Sequence, residues 1–483
     1  MKCEKIKTNK LDNTVSYTMP LLLLCVDYLA ILSAQKVAIY LRQEMGFLSV
    51  HYFMSNIPNL YFYFLVPVVF IAFLYNSHIY VNRMPFWEVI QKIFYAVILS
   101  MLVCITMMYF GHIAGGVSRL YVALSGITSF AFLCIFRYIV KKALFRFNML
   151  LEPVLIIGAG KTAELVVRQF SNDTGFGAKI IGFIDDAPIS NELPRQYPVL
   201  GNFSESETII KETGVKTVII AAPGLGKYKL LELVNKIQPL VKDLSFVPDL
   251  IGVPVGNMEL QKLYDAKMIM LRVRNNMLRW YNKVLKRCFD LIVSMIFLPI
   301  IIIVSIIIGI CIYIESPGPI FFIHYRVGQQ GKNFPCYKFR TMVENAQEVL
   351  NEALKKDTVL QKEWNVAFKL KNDPRITKVG GFLRRTSLDE LPQIINVFLG
   401  QMSLVGPRPI ITKETERYGE YIDDYYLVPP GITGLWQVSG RSDTTYTERV
   451  EMDTWYVRNW SVWIDIVLLY KTIFVVLNRK GAY

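Results

Sequence analysis

Four apolar runs near the N-terminus restrict the fold more than any other feature: roughly Met19 to Leu41, Ile57 to Tyr75, Ile93 to Phe110 and Leu120 to Val140. A helix needs about 20 predominantly apolar residues to cross the hydrocarbon core, where each backbone polar group must find its partner inside the segment. Residues 1–150 therefore read as a cytoplasmic tail followed by a four-helix transmembrane bundle. Lys2, Lys5, Lys7 and Lys10 precede the first run, Arg83 and Lys92 lie between the second and third, and Arg137, Lys141, Lys142 and Arg146 close the fourth. The positive-inside rule puts all three places on the cytoplasmic side. Asp27 and Lys36 fall within the first run, where structural pairing or snorkelling is favoured over a functional site.

Composition supports the membrane reading, with 53% hydrophobic residues and a mean hydropathy of +0.34. The net charge of +14 suits an anionic membrane surface or phosphorylated substrates as well as it suits nucleic acid, and no nucleic-acid partner is expected. The seven cysteines show no CxxC spacing, so neither zinc nor a disulfide framework is indicated. With four histidines, only His324 in the C-terminal half, chemistry built on a histidine base has few candidates. No cleavable signal is seen, because the first apolar run lacks a small-residue cleavage site and more such runs follow.

Over residues 151–272 the pattern changes to short apolar runs alternating with amphipathic stretches. "PVLIIGAG", "KIIGFIDD", "KTVIIAAPG" and "DLSFVP" read as strands and "KTAELVVRQF" as a helix, which is the pattern of a small Rossmann-like parallel α/β domain. Gly158, Gly160 and Ala163 fit G-x-G-x-x-A after a strand, and Asp185 ends the next strand, as in a dinucleotide fingerprint. The same glycines also serve tight strand-to-helix packing, and no Tyr-x-x-x-Lys pair supplies a proton donor. A structural or regulatory domain without bound NAD(P) is the expectation.

A fifth apolar run, Leu291 to Ile314, opens the C-terminal half and is basic on both flanks: Arg272, Arg274, Arg279, Lys283, Lys286 and Arg287 before it, Arg326, Lys332, Lys338 and Arg340 after it. A crossing helix would leave one basic flank outside. A helix over about 288–315 broken at Pro299 can instead enter and return on one side, and this re-entrant form is favoured. Ser294, Ser305 or the interface would then satisfy the carbonyls freed near Pro299.

Residues 280–483 read as a mixed α/β catalytic domain on that anchor. Lys338, Arg340, Arg384, Arg385, Arg408 and Arg441 repeatedly offer phosphate ligands on largely non-helical segments. Between them sits the adjacent pair Asp389-Glu390. Ser387-x-x-Glu390 has the form of a capping box, the bland account of Glu390, although Pro392 complicates the register. Either register puts two carboxylates at a helix's positive end, where that field and the arginines are expected to lower their pKa values. The combination suggests arginines holding phosphates while a carboxylate attacks one, with Mg²⁺ as the expected ion to neutralise developing charge.

From about Lys283 to Tyr483, some two fifths of the chain, "SPGPIFF", "YKFRTM", "TSLDELPQIINVFLGQMSLVGPRP" and "PGITGLWQVSGR" resemble the monotopic phosphoglycosyl transferases, the polyprenyl-phosphate hexose-1-phosphate transferases of bacterial glycan assembly. The whole layout resembles their large members. The resemblance implies that Asp389 attacks the β-phosphate of a UDP-hexose, most often UDP-galactose, and that undecaprenyl phosphate then accepts the phosphosugar at the cytoplasmic face of the bacterial inner membrane. This would be the first step of O-antigen, capsule or exopolysaccharide assembly. It further implies that Glu390 is metal ligand or proton acceptor, that Arg408 binds phosphate, and that Pro299 is the helix-breaking proline. Asp465 matches a further family carboxylate, either metal or active-site support or an ordinary polar residue beside an interface belt of Trp460 and Trp463. The C-terminal "NWSVWIDIVLLYKTIFVVLNRK" would lie at the membrane surface.

Three other readings stay open: UDP-glucose as donor, a membrane-attached NAD(P)-dependent nucleotide-sugar epimerase or dehydratase, and a non-catalytic scaffold of glycan assembly. A homodimer is expected on general grounds.

Overall fold

The computed structural model describes residues 10–45, 58–82, 84–112, 117–146, 151–173, 177–187, 193–250, 253–254, 256, 258–263, 268–356, 361, 373–439 and 444–477. Lys2, Lys5, Lys7, Ile57, Arg83 and Arg441 lie outside them. Contacts divide the chain into two units, Met1–Ile251 and Gly252–Tyr483.

The first unit begins with α1 (Lys10–Glu44), a π-helical turn (Tyr61–Leu65) leading into α2 (Val66–Asn76), α3 (Phe86–Phe110) and α4 (Arg119–Arg146). The first, third and fourth are long and apolar enough to cross a membrane, and Tyr61–Asn76 is a shorter apolar helix. They share a core that includes Ile31, Phe70, Leu74, Ile93 and Leu133. Asp27 is fully buried in this bundle. Arg137 donates to it through Nε at 2.8 Å and again through Nη2, and Tyr80 donates its hydroxyl at 2.6 Å. A buried charge is tolerable only with such complete partners, so Asp27 is a structural pair between α1 and α4. Lys36 is exposed on α1.

The same unit carries a five-stranded parallel sheet: β1 (Glu152–Ile157), β2 (Ala178–Ile184), β3 (Val199–Gly201), β4 (Thr217–Ile220) and β5 (Asp243–Phe246), in the order β3-β2-β1-β4-β5. Helices α5 (Lys161–Asn172), α6 (Leu193–Gln196), α7 (Ser206–Thr213) and α8 (Lys227–Ile237) connect the strands. This strand order belongs to open, doubly wound sheets. Leu155 and Ile157 of β1 enter one apolar cluster, while Val154 and Ile156 enter another. Period-two alternation thus feeds two covered faces, which is why the strand reads as a continuous apolar run.

The fingerprint residues mostly close their own turn. Gly158 has φ +104°, and a Cβ there would lie 2.7 Å from the Ala221 carbonyl oxygen. Asp185 accepts from the Ala159 and Ala187 N–H groups, at 2.5 and 2.9 Å, and a Cβ on Gly160 would meet open space.

The second unit starts with an antiparallel hairpin, β6 (Met258–Leu263) and β7 (Met268–Val273). By contacts this hairpin, which lies within the 151–272 stretch read as one domain, groups with the second unit. Helix α9 (Trp280–Glu315) follows, then the hairpin β8 (Phe321–Val327) and β9 (Asn333–Phe339), α10 (Ala346–Lys356), α11 (Lys378–Thr386) and α12 (Gln393–Phe398). A parallel pair, β10 (Ser403–Val405) and β11 (Gly431–Thr433), is accompanied by α13 (Thr415–Tyr418), α14 (Ile422–Tyr426), α15 (Leu435–Ser439), α16 (Tyr446–Asn459) and α17 (Val462–Leu477). Val397, Val405, Tyr456, Val457 and Trp460 centre the core.

Pro299 does not end α9, which stays helical on both sides of it; the missing N–H and the ring clash of a proline bend such a helix without ending it. Ser294, expected to satisfy a freed carbonyl, has its hydroxyl buried with no hydrogen-bond partner among the described residues. Trp460 and Trp463 are 1% and 8% exposed, so they are core residues and not an interface belt. The outer side of α17 still presents Tyr470, Ile473, Phe474 and Leu477 to its surroundings.

Both ends of α9 are fastened to the same unit. At the N-terminal end Lys286 reaches the Val405 carbonyl at 2.9 Å, Asp290 accepts from Ser403 Oγ at 2.7 Å, and Arg287 donates to the Val397 and Phe398 carbonyls that close α12. At the other end Ile308 and Ile312 pack on Phe339 and Leu383. Glu315 there accepts from the Lys378 and Val379 N–H groups, at 2.7 and 2.8 Å, capping the start of α11.

Candidate active site

Asp389 and Glu390 sit on a 3-10 turn, Leu388–Glu390, between α11 and α12. Ser387 ends α11 in the left-handed region (φ 57°) and makes no side-chain cap. The capping box is therefore not formed, and Glu390 turns to Lys338 instead, at 2.6 Å. Its side chain keeps 27% exposure.

Strand register brings in the cations. Phe322 pairs with Lys338, His324 with Cys336 and Arg326 with Phe334, so one face of the β8–β9 hairpin carries Lys338, His324 and Arg326 together. Val327 bridges Ile410, with Val327 N–H donating to the Ile410 carbonyl at 2.8 Å, which sets Arg326 beside the Gly-Pro-Arg-Pro turn and Arg408. That turn is seated by close backbone packing: a Cβ on Gly431 would lie 2.1 Å from the Gly406 nitrogen. The "SLVGPRP" and "PGITG" motifs are thus two sides of one contact. The Arg408 guanidinium lies 5.5 Å above the Trp436 ring.

The two carboxyls respond oppositely to these surroundings. Burial, followed by the charge of Glu390, pushes Asp389 up to about 6, against the pull of Lys338 and Arg384. Burial also pulls Glu390 upward, but Lys338, Arg408 and Arg326 outweigh it and hold the carboxyl below its ordinary range. The expected lowering is therefore right in direction for Glu390 and reversed for Asp389, because desolvation exceeds the arginines' effect there. Arg326 is lowered by burial and then by the like charge of Arg408, an arrangement that an anion between them would relieve.

The arginines expected to bind phosphate divide by position. Arg384 donates through Nε to Thr341 Oγ1 at 2.9 Å and its charge is felt at Asp389. Arg385, next on the helix, is exposed and lines a separate polar cleft with Asp373, Thr377 and Lys378. Arg340 is 7% exposed and donates through its Nη groups to the Ser316 and Pro317 carbonyls past α9, so it anchors the end of that helix. Arg326, which the sequence offered only as a flanking charge, joins the site through strand register.

Asp465 is a correction as well. It is fully buried, and Lys286 Nζ (2.9 Å), Tyr456 Oη (2.7 Å) and Trp460 Nε1 (3.1 Å) fill its oxygens. It supports the root of α9, with three donors on its two oxygens. Among the described residues no group of three or more His, Cys, Asp or Glu side chains forms a metal cage.

An apolar groove of about 580 Å³ lies alongside. Leu298, Ile301, Ile306 and Tyr313 of α9 line it opposite Pro392 and Ile395, which follow the carboxylate turn directly.

Residues 281–479 match the family model described as bacterial sugar transferase, and residues 64–248 match one described as a CoA-binding domain. The chain is 38% identical to the undecaprenyl-phosphate galactose phosphotransferase of Salmonella typhimurium and 37% identical to the UDP-galactose-lipid carrier transferase of Erwinia amylovora, each over 84% of both chains. It is 32% identical to the UDP-glucose:undecaprenyl-phosphate glucose-1-phosphate transferase of Escherichia coli over 68% of both. With its carboxylate turn, its clustered arginines and these matches in agreement, the chain belongs to the bacterial sugar transferase family.

Proposed function

We propose that the protein transfers hexose-1-phosphate from a UDP-sugar to undecaprenyl phosphate, giving undecaprenyl-diphospho-hexose and UMP by way of a phosphosugar held on Asp389. The observation that carries this reading is a carboxylate turn ringed by Lys338, Arg326, Arg384 and Arg408 beside an apolar groove lined by α9. Such a site meets a phosphate with its cations and a hydrocarbon tail with its wall.

In the first step an Asp389 carboxylate oxygen attacks the β-phosphorus. The bond from that phosphorus to the bridging oxygen breaks, and UMP leaves with the electron pair. In the second step a phosphate oxygen of undecaprenyl phosphate attacks the same phosphorus and the Asp389 carboxylate is released. A pKa near 6 leaves Asp389 ionised at neutral pH and less stabilised than an ordinary aspartate, which favours attack. Arg326, Arg384 and Arg408 offset the approach of anion to anion.

The donor set fits a magnesium ion held by one or two carboxylates and completed by substrate phosphates, with Glu390 the partly exposed ligand and Asp389 beside it. When bound, the ion would neutralise pyrophosphate charge.

Galactose is the favoured sugar, since relatives named for it align over 84% of the chain; glucose, from the Escherichia coli relative, is the alternative. The membrane would be the bacterial inner membrane, with the site on its cytoplasmic face. Attachment of both ends of α9 to one unit supports a helix that enters and returns on one side. We assign the first unit, including its Rossmann-like domain, to assembly or regulation in a homodimer.

The test is UMP release from UDP-galactose and UDP-glucose by purified full-length protein with Mg²⁺ and undecaprenyl phosphate, with mass spectrometry of the Asp389 peptide after donor alone. Lipid-dependent release with a phosphosugar on Asp389 is expected. Release indifferent to Asp389→Asn would refute the mechanism, and no release would return the Gly158 loop to consideration.

A further inference from the structure

Behind the Gly-Pro-Arg-Pro turn lies a carboxylate that neither chemical step uses. Asp453 projects from the inner face of α16 and is 3% exposed. Its Oδ2 accepts one hydrogen bond, from Tyr418 Oη of α13 at 2.8 Å. Its Oδ1 is buried with no hydrogen-bond partner among the described residues. Asp465, in the same unit, shows what a purely structural carboxylate looks like: three donors on two oxygens. An under-satisfied buried carboxylate is costly, so its surroundings matter.

The titratable groups facing Asp453 are Tyr418 of α13, Tyr425 of α14, Tyr446 and Tyr456 of its own helix, and Arg408. Arg408 acts on the carboxyl as a nearby positive charge. Burial pushes the Asp453 carboxyl up to about 7, with Tyr418 and Arg408 opposing. The tyrosines tie this pocket to the rest of the site. Tyr418 packs edge-on against Tyr425, ring centres 5.2 Å apart, and Tyr425 Oη donates to the Val327 carbonyl at 2.7 Å while accepting from Ile410 N–H at 3.3 Å. Val327 follows Arg326, and Ile410 lies two residues after Arg408. One buried cluster therefore backs both arginine segments.

We propose that Asp453, held by Tyr418, is a positioning residue: with Tyr425 it backs the Val327 and Ile410 segments and so places Arg408 toward the phosphate bound in front of Glu390. The proposal rests on the phosphoryl-transfer reading above. The competing account is a structural anchor of α13 on α16 that has no particular relation to Arg408.

A double-mutant cycle on the full-length protein separates the two. Steady-state kcat/KM for UDP-galactose is measured for wild type, Asp453→Asn, Arg408→Ala and the double variant, with melting temperatures alongside. The same cycle with Tyr418→Phe decides the matter should Asp453→Asn fail to fold. Asp453→Asn is expected to lower kcat/KM about tenfold in the wild-type background and less than about twofold with Arg408→Ala, the non-additivity of coupled neighbours. Equal losses in both backgrounds overturn the proposal.

Inorganic pyrophosphate binding, read as a rise in melting temperature, keeps this outcome distinct from failure of the assigned reaction. Wild type that responds to pyrophosphate without turning over a UDP-sugar refutes the reaction; Asp453 is then judged by whether Asp453→Asn loses that response, in support, or retains it, against. Neither response in wild type overturns both.

Discussion

Two aspartates in the same unit, Asp465 at the root of α9 and Asp389 on the 3-10 turn, differ in how completely their surroundings satisfy them. Asp465 is enclosed by a lysine, a tyrosine and a tryptophan, each within hydrogen-bond distance. Asp389 is half-buried beside another carboxylate, and the nearby cations fail to offset its burial. The first arrangement spends its charge on holding helices together. The second leaves a charge that its surroundings stabilise poorly, as the proposed role of nucleophile requires.

The largest test of this contrast is Asp389→Asn, expected to remove at least about 10³-fold of turnover, the scale seen when a covalent nucleophile is lost. Residual activity above that level would end the assignment. Asp465→Asn should act on the fold instead. Leaving the Lys286 charge buried without its counter-charge is expected to cost about 3–5 kcal/mol, read by thermal unfolding in detergent. A comparable loss of kcat per folded molecule, with stability unchanged, would erase the distinction between the two aspartates. Gly431→Ala, which drives a methyl into the Gly406 backbone, should destabilise by about 1–3 kcal/mol and lower affinity for the UDP-sugar through Arg408.

A subtler signature concerns pH. Because the folded-state pKa of Asp389 is raised, its contribution to stability is fully present below about 4 and lost as pH rises through about 6. Asp389→Asn should therefore melt at a higher temperature than wild type at pH 7.5, and the gap should close below pH 4. Wild-type turnover should fall about tenfold per unit below pH 6 as the nucleophile protonates. Smallest of all, Arg385→Ala should change kcat/KM by less than about twofold while Arg384→Ala costs about tenfold or more, since only Arg384 neighbours Asp389.

Much of the site was legible because its chemistry sits in contiguous motifs. Asp389, Glu390 and Arg408 are bound to the local segments that carry them, and Lys338 could be found in "YKFRTM". The doubly wound sheet was legible for a related reason, since strands covered on both faces read as apolar runs bounded by glycine. What escaped was set by tertiary placement. Arg326 comes to the candidate site through hairpin register, and Arg340 gives Nη donors to the end of α9. Trp460 looks like an interface residue beside an apolar helix until Asp465 is seen to accept from its indole. The sign of the Asp389 shift was likewise hidden: adjacent arginines are visible in a sequence, whereas desolvation is not.

The two caps on α9 have a consequence of another kind. Arg287 holds the end of α12 and Glu315 holds the start of α11, and these are the two helices that the Asp389-Glu390 turn joins. Each residue added to or removed from the helix between them would rotate one cap by about 100° relative to the other and slide it by about 1.5 Å. The apolar stretch is thus free to vary in spelling and rigid in count: an isoleucine exchanged there for a leucine costs little, but one residue too many would pull the Asp389-Glu390 turn out of alignment.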